Sequence, residues 1–468
     1  MTGRILIAAP KSGSGKTILT CGLLKLIKDS GSAVMSYKCG PDYIDPMFHR
    51  KVIGIPGSNL DSFFSDAEKI RRIVAEHISE GYDAAVIEGV MGIYDGIAGA
   101  SGKGSCYDIA RITGTPVVLV IDVKGMGPTM LSVIKGILSD DTSHLIHGIV
   151  LNRITPHYYK EISPLMKEML DEISAQRGIS VSLLGGIPHS DEIRLSSRHL
   201  GLIMPDEIDD LKEQVDTSAR LLSDHMDLGL LEDIMGQAEV LQDDWICNDI
   251  QDNKKYDDQT VTIVTARDEA FCFYYEENLR MLEKYGIKVV EFSPLHDEAL
   301  PADADGILLG GGYPELFAEE LSWNSSMRQS VHNAITSGMP SLAECGGFMY
   351  LLDKLEDKEG KQYSMSHIVP GSSHNTGKLG RFGYITLTGS AGIIEGLSIR
   401  GHEFHYYDSS NNGSDALAVK PGSGRSWECV HAGDDHVWGF PHLYYPSCPE
   451  LIIRFKKAML EYKARKEI

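Results

Sequence analysis

Apolar residues follow two rhythms along this chain. Short apolar runs stand at Ile5 to Ala9, Ala33 to Tyr37, Ala84 to Ile87, Pro116 to Ile121, Gly148 to Leu151 and Ser182 to Leu184. Between them apolar residues recur every third or fourth position, as Leu19, Leu23 and Ile27 do within Ile18 to Lys28. The runs predict strands buried on both faces, and the spaced stretches predict amphipathic helices. Their alternation from Arg4 to about Leu222 predicts an α/β domain, residues 1–235, with a mostly parallel sheet and ligands at the strands' carboxyl ends. From Gly236 to Gln259 the rhythm fades and Asp, Asn and Gln crowd together, which predicts an acidic connector over 236–259. Strands at Val261 to Thr265 and Gly306 to Leu309 restart the alternation, so 260–468 is expected to be a second α/β domain. Its last helix, Leu451 to Ile468, carries Ile452, Phe455, Met459 and Tyr462 on one narrow face, which suits a closing helix better than a membrane-surface one.

The polar residues at the strand ends carry the chemistry. After the first run comes Pro10-Lys11-Ser12-Gly13-Ser14-Gly15-Lys16-Thr17, between strand and helix. A phosphate-binding loop needs that context. Glycines 13 and 15 let backbone N–H groups face one concavity, and the helix N-terminus adds positive partial charge. Lys16 is expected on the outer phosphates of a nucleoside triphosphate, with Thr17 as a Mg²⁺ ligand. The usual first glycine of the motif is Pro10, and Lys11 stands five residues before Lys16, as in the deviant loops of the dethiobiotin-synthetase and partition-ATPase class.

Three more strand ends and one stretch before a helix contribute. Lys38 to His49 is a stiff loop in which Asp42 or Asp45 could supply a metal ligand. Glu88 ends the run Ala84 to Ile87, the position of an acidic residue that holds a nucleotide's metal. Glycines 89, 92 and 96 behind it permit close backbone approach. Asn152 could read a nucleobase edge. Arg198 and His199 pair a cation and an imidazole suited to substrate carboxylates.

In the second half, Gly310-Gly311-Gly312 follows a strand and suits an exposed backbone N–H for an oxyanion. Cys345, in Ala343-Glu344-Cys345-Gly346-Gly347, lies at a strand-to-helix junction, where a helix N-terminus favours thiolate. A thiolate nucleophile needs a base, and His442 is preferred modestly over His405, with His402, His431 and His436 also downstream.

Composition narrows the partners. The chain has 468 residues, 66 acidic against 44 basic, for a formal net charge of −22. Such a surface repels nucleic acid and anionic membrane, and a polyanionic substrate needs a local basic pocket. The eight cysteines are scattered with no C-x-x-C pair, the pattern of reduced thiols rather than structural zinc. With no signal peptide and no membrane-length apolar run, a cytoplasmic protein is expected.

Taken together these motifs resemble one family, the cobyrinate a,c-diamide synthases of corrinoid biosynthesis. The resemblance rests on Lys38 to Pro46, Glu88 to Gly96, Arg198 to Gly201, Ala270 to Tyr275, Gly310 to Glu315, Glu344 to Gly347 and Gly401 to His405. It spans about Arg4 to Tyr445. It implies a dethiobiotin-synthetase-like P-loop domain followed by a class-I-type glutamine amidotransferase domain. It also implies ATP, Mg²⁺ and glutamine as co-substrates and cofactor, a tetrapyrrole as substrate, and an acyl-phosphate route. The implied roles are phosphates and metal at Lys16 and Thr17, Mg²⁺ at Asp45 and Glu88, and the tetrapyrrole or its activation at Asp42, Tyr43 and Asp95; the residues themselves add nucleotide binding over Lys11 to Thr17 and at Asn152, and substrate contact at Arg198 and His199. Cys345 and His442 are implied as a catalytic dyad, with Gly312 and Gly346 as oxyanion donors. The glutamate expected two residues after the histidine is Tyr444, and the family dispenses with it. Gly104-Ser105-Cys106-Tyr107-Asp108 departs from the family's Gly-Ser-Thr-Ala-Asp pattern in a loop expected to face substrate, which leaves nickel sirohydrochlorin open as the tetrapyrrole. A homodimer is left open as well. A partition-type ATPase switch and a free-standing glutaminase are the alternatives from other classes. The first gives Cys345 no role, and the second leaves the phosphate loop idle.

Overall fold

In a computed structural model, which describes residues 2–99, 102–193, 208–241 and 259–466, the chain divides into two units, Met1–Asp249 and Ile250–Ile468. The first is built on seven strands: β1 Gly3–Ala8, β2 Val34–Cys39, β3 Gly57–Leu60, β4 Ala84–Glu88, β5 Val117–Asp122, β6 Ile146–Asn152 and β7 Ser182–Ile187. All pair in parallel, in the order β3-β2-β4-β1-β5-β6-β7. Along β1, Ile5, Ile7 and Ala9 enter one core while Leu6 and Ala8 enter the other, and each is fully buried. Alternate side chains of a strand face opposite sides, so a strand covered on both faces must be apolar throughout. Each such Ile or Leu contributes about 1.5–3 kcal/mol of burial.

From β1 the chain passes to β2 on one side of the sheet, whereas β5 to β7 extend on the other. Strand order therefore reverses at β1, where an open α/β sheet leaves a crevice for ligands. Helix α1 (Lys16–Asp29) opens from that end, with Gly15 as its left-handed N-cap at φ 95°.

Two expectations shift. β3, with the sequence Gly-Ser-Asn-Leu, has no apolar run to announce it; it adds to the sheet edge through β2 alone. The connector expected over 236–259 begins later, because 236–241 are docked on the first unit. Glu239 pairs with Arg71 at 2.7 Å, its amide donates to the Gly114 carbonyl, and Leu241 is buried in the core. The acidic run beyond it lies outside the described residues.

The second unit is built on a six-stranded sheet in the order Ile287–Phe292, Val261–Ala266, Gly306–Leu309, Ser341–Glu344, His436–Gly439 and His431–Ala432. Its first five strands are parallel and the last is antiparallel. An antiparallel five-stranded sheet, Ser426–Cys429, Ala416–Val419, Phe382–Gly389, Ser398–Phe404 and His442–Leu443, carries two histidines toward the end of the Ser341–Glu344 strand. The terminal helix, Pro449–Lys466, buries Ile452, Phe455 and Met459 completely, as a closing helix does. Among the described residues no helix is long and apolar enough to cross a membrane.

Candidate active sites

The phosphate loop is shaped by Gly13 (φ 74°) and Gly15 (φ 95°). A Cβ on Gly15 would stand 2.1 Å from Asn152 Nδ2, so no larger residue fits there. Asn152 Nδ2 donates to the Ser14 carbonyl at 2.9 Å, and its Oδ1 accepts from the Arg153 amide at 2.9 Å. The asparagine expected at a nucleobase edge ties the end of β6 to the loop. Its amide is engaged by backbone on both sides.

Lys16 is buried, and its Nζ donates to the carbonyls of Met91 at 2.6 Å and Lys11 at 3.3 Å. Burial pulls its pKa below the ordinary lysine value. Ser14 Oγ also donates to the Lys11 carbonyl. Lys11 and Ser12 themselves are exposed. The loop after β4 closes on this one: a Cβ on Gly92 would meet the Pro10 carbonyl at 2.6 Å, and the Gly92 amide donates to the exposed Asp95 at 2.8 Å.

Behind the loop lies a fully buried carboxylate. Glu88 Oε1 accepts from Thr17 Oγ1 at 2.6 Å and from Lys38 Nζ at 2.9 Å. Lys38 also pairs with Asp45, so one ammonium joins the two carboxylates expected to serve a metal. Burial, with the Asp45 charge beside it, pushes Glu88 up to about 7. Burial also opposes ionisation of Asp45, yet Lys38 wins and holds it below the usual range. His49, buried and pushed down to about 4 by desolvation, stays neutral beside Glu88 and hydrogen-bonds Ser36 at 2.6 Å. Asp42 accepts from the Ile44 amide at 2.8 Å, and burial next to Asp45 raises it to about 6. Tyr43 is buried at the same turn. Asn59, on the unexpected β3, fixes that turn by donating to the carbonyls of Gly40 (2.9 Å) and Asp42 (2.8 Å).

These residues fit Mg²⁺. Glu88 Oε2 is buried and accepts no hydrogen bond, and Thr17, Glu88 and Asp45 offer the hard oxygen donors that the ion takes. Among the described residues no three His, Cys, Asp or Glu side chains converge as a metal cage. That suits an ion which completes its shell with water and phosphate oxygens.

Arg198 and His199 lie outside the described residues. Cys106, in the loop expected to face substrate, is fully buried and its Sγ donates to the Val90 carbonyl at 2.9 Å. Its partner in the pattern, Asp108, is held by Ser62 at 2.7 Å and by the Gly104 amide at 3.1 Å.

In the second unit the strand Ser341–Glu344 runs into Cys345, at φ 50° and ψ −105°, and then into the short helix Gly346–Leu351. A non-glycine residue held at positive φ stores strain, and here it turns the thiol out of the strand line. The elbow closes tightly. The Cys345 amide donates to Gly439 at 2.8 Å, a Cβ on Gly347 would stand 2.1 Å from the Leu309 carbonyl, and one on Gly346 would stand 3.1 Å from Gly312 N. The backbones of Gly312 and Gly346, expected as oxyanion donors, thus meet beside the cysteine.

Burial works against the resting thiolate expected from the helix N-terminus. Burial first, then the nearby Glu315, Glu403 and Glu344, push the Cys345 thiol well above its ordinary range, against one backbone N–H from Gly346. A helix of six residues offsets little of this. The proton must therefore leave to a base during reaction.

Of the two imidazoles weighed for that role, His405 is committed. Its Nε2 hydrogen-bonds Glu403 at 2.8 Å and its Nδ1 the Tyr407 carbonyl at 2.5 Å, while Trp427 Nε1 donates to the other Glu403 oxygen. His442 packs against Gly311, where a Cβ would stand 2.3 Å from its Cε1, and stacks on His402 at 4.9 Å. Burial, then the neighbouring His402 and His405, hold it far below its ordinary value, hence neutral and able to accept a proton. His402, hydrogen-bonded to the Tyr275 hydroxyl at 2.9 Å and pushed down to about 3 by burial, adds no charge to the stack.

Comparison with known proteins gives a match in each unit. Residues 5–203 match the CobQ/CobB/MinD/ParA nucleotide binding domain, and residues 262–440 the CobB/CobQ-like glutamine amidotransferase domain. Curated relatives align over nearly the whole chain. A cobyrinate a,c-diamide synthase of Thermoplasma volcanium is 34% identical, covering 99% of this chain and 99% of its own. One of Listeria innocua is 37% identical over 96% and 98%, and one of Methanothermobacter thermautotrophicus 33% over 98% and 100%.

Proposed function

This chain belongs to the cobyrinate a,c-diamide synthase family of ligases, and from that premise we propose that it amidates the a- and c-acetate carboxylates of cobyrinate, using ATP and glutamine. A carboxylate is a poor acyl donor until one oxygen becomes a leaving group. In the proposed route that oxygen attacks the γ-phosphorus of ATP, ADP leaves, and an acyl phosphate forms. Ammonia then attacks the acyl carbon and inorganic phosphate departs with the original carboxylate oxygen.

The first unit's residues take the phosphoryl half. Lys16 turns from the Met91 carbonyl to the transferring phosphate, and the N–H groups around Gly13 and Gly15 hold the chain of phosphates. Thr17, Asp45 and Glu88 would hold Mg²⁺, which would neutralise phosphate charge. Asp42, Tyr43 and Asp95 border the same loops and serve as the contacts for the macrocycle, with Arg198 and His199 proposed on the sequence alone. The second unit takes the nitrogen half. The Cys345 proton passes to His442, the sulfur attacks the glutamine carboxamide, and the oxyanion meets the Gly312 and Gly346 amides. His442 returns the proton to the leaving ammonia, and water hydrolyses the thioester to glutamate.

The observation that carries this reading is the presence in one chain of a strained cysteine elbow and of a phosphate loop whose threonine hydroxyl bonds a fully buried glutamate. An ATPase switch has no use for the first, nor a lone glutaminase for the second. Nickel sirohydrochlorin carries the same two acetates and is the substrate alternative. An assay of both tetrapyrroles with ATP, Mg²⁺ and glutamine tests the assignment. Cobyrinate is expected to gain two amides with the higher kcat/KM; a preference for nickel sirohydrochlorin would reassign the substrate and leave the chemistry standing.

A further inference from the structure

The position that carries the acid of an ordinary class I triad is Tyr444, which is buried with its ring edge-on to Tyr275 at 5.6 Å. A carboxylate reaches the histidine from another direction. Glu344, the last residue of the strand before the nucleophile, is 8% exposed and places Oε2 3.9 Å from His442 Nδ1. Its Oε1 accepts from the Tyr445 hydroxyl at 3.0 Å, and the Leu443 amide also donates to the carboxylate. Both donors follow His442 in sequence, and together they hold the glutamate beside the ring. Leu342, Val430, Val437 and Leu443 line an apolar cavity beside Glu344, and both members of the pair are buried, which strengthens their interaction.

We propose that Glu344 is the positioning carboxylate of the glutaminase site, holding the His442 proton on Nδ1 so that the other ring nitrogen receives the proton of Cys345. The inference rests on the glutaminase reading above. At rest, burial pushes Glu344 up to about 8 and His442 far down, each toward its neutral form. The step that puts a second proton on the ring reverses this, because imidazolium and carboxylate then stabilise one another across a dry gap. The form of Glu344 that acts is the carboxylate, its own proton already lost to solvent; the proton taken from sulfur stays on the ring and leaves on ammonia. A separation of 3.9 Å exceeds a hydrogen bond, and such contacts shorten when substrate fills the site. The neutral His402 on the far face of His442 keeps the ring from swinging away.

The test uses the full-length protein as wild type, Glu344→Gln and Glu344→Ala. It measures glutamine hydrolysis and the rate at which a diazoketone analogue of glutamine alkylates Cys345, with thermal melting as the folding control. Glu344→Ala is expected to lower kcat and the alkylation rate together, by about 100-fold, with KM for glutamine within about twofold. Glu344→Gln, which keeps an acceptor oxygen without the charge, recovers part of the loss. Wild-type alkylation and kcat in a folded Glu344→Gln and Glu344→Ala would overturn the proposal. So would a rise in KM at unchanged kcat, the mark of a role in shaping the pocket. If wild-type Cys345 itself resists the analogue, the glutaminase reading falls instead.

Discussion

Cys345→Ala is expected to abolish glutamine-dependent amidation, by about 10⁴-fold or more, while a high concentration of ammonium salt restores it. The reason is local. The thiol is the only covalent nucleophile in the proposed nitrogen half, and its φ of 50° is accommodated by the Gly346 and Gly347 backbones packed against Gly312 and Leu309. Alanine keeps that backbone and removes only sulfur. Ammonia from solution needs neither the thioester nor the Gly312–Gly346 oxyanion site. Equal loss with both nitrogen sources in a folded variant would mean that Cys345 supports structure rather than glutamine chemistry.

Lys16→Ala and Glu88→Gln are expected to do the converse. Each should lower amidation from glutamine and from ammonium alike, by about 10²–10³-fold, the usual effect of removing one charge-stabilising group. Basal glutamine hydrolysis should survive. Lys16 is the buried ammonium of the loop, and Glu88 is the buried carboxylate bonded to Thr17 and Lys38. Glutamine in place of Glu88 keeps shape and an acceptor oxygen but removes the charge that a metal would need. Normal amidation by the Lys16 variant would contradict phosphoryl transfer from this loop.

The strands, the phosphate loop and the cysteine elbow were legible in the sequence because each is set by local rules. An unbroken apolar run, a glycine pair before Lys-Thr, or a cysteine before two glycines needs no distant partner to be recognised. Contacts made between elements were not legible. Lys38 sat in the quoted motif, yet its bridging of Asp45 and Glu88 depends on β2 lying beside β4. β3 was missed because an edge strand buried by its neighbours can be polar, and Asn59 with it. The tie from Asn152 to Ser14 likewise depends on β6 reaching the phosphate loop. The burial of Cys106 was not legible, because a loop position does not reveal which way its side chain points. Glu344 went unnoticed as an acid because the usual triad spacing looks after the histidine rather than before the cysteine.

The resting thiol teaches a related lesson. A helix N-terminus argues for thiolate, while burial, the larger effect beside one short helix, shifts the pKa the other way. Only the assembled site reveals which effect wins.

The central claim is that the γ-phosphate is delivered to a substrate carboxylate rather than to water, and oxygen labelling tests it directly. Cobyrinate carrying ¹⁸O in its acetate carboxylates, incubated with ATP, Mg²⁺ and glutamine, is expected to transfer one ¹⁸O to inorganic phosphate for every amide formed. Label found in AMP, or phosphate released free of ¹⁸O while amide accumulates, would contradict the acyl phosphate and with it the role assigned to the loop at Lys16.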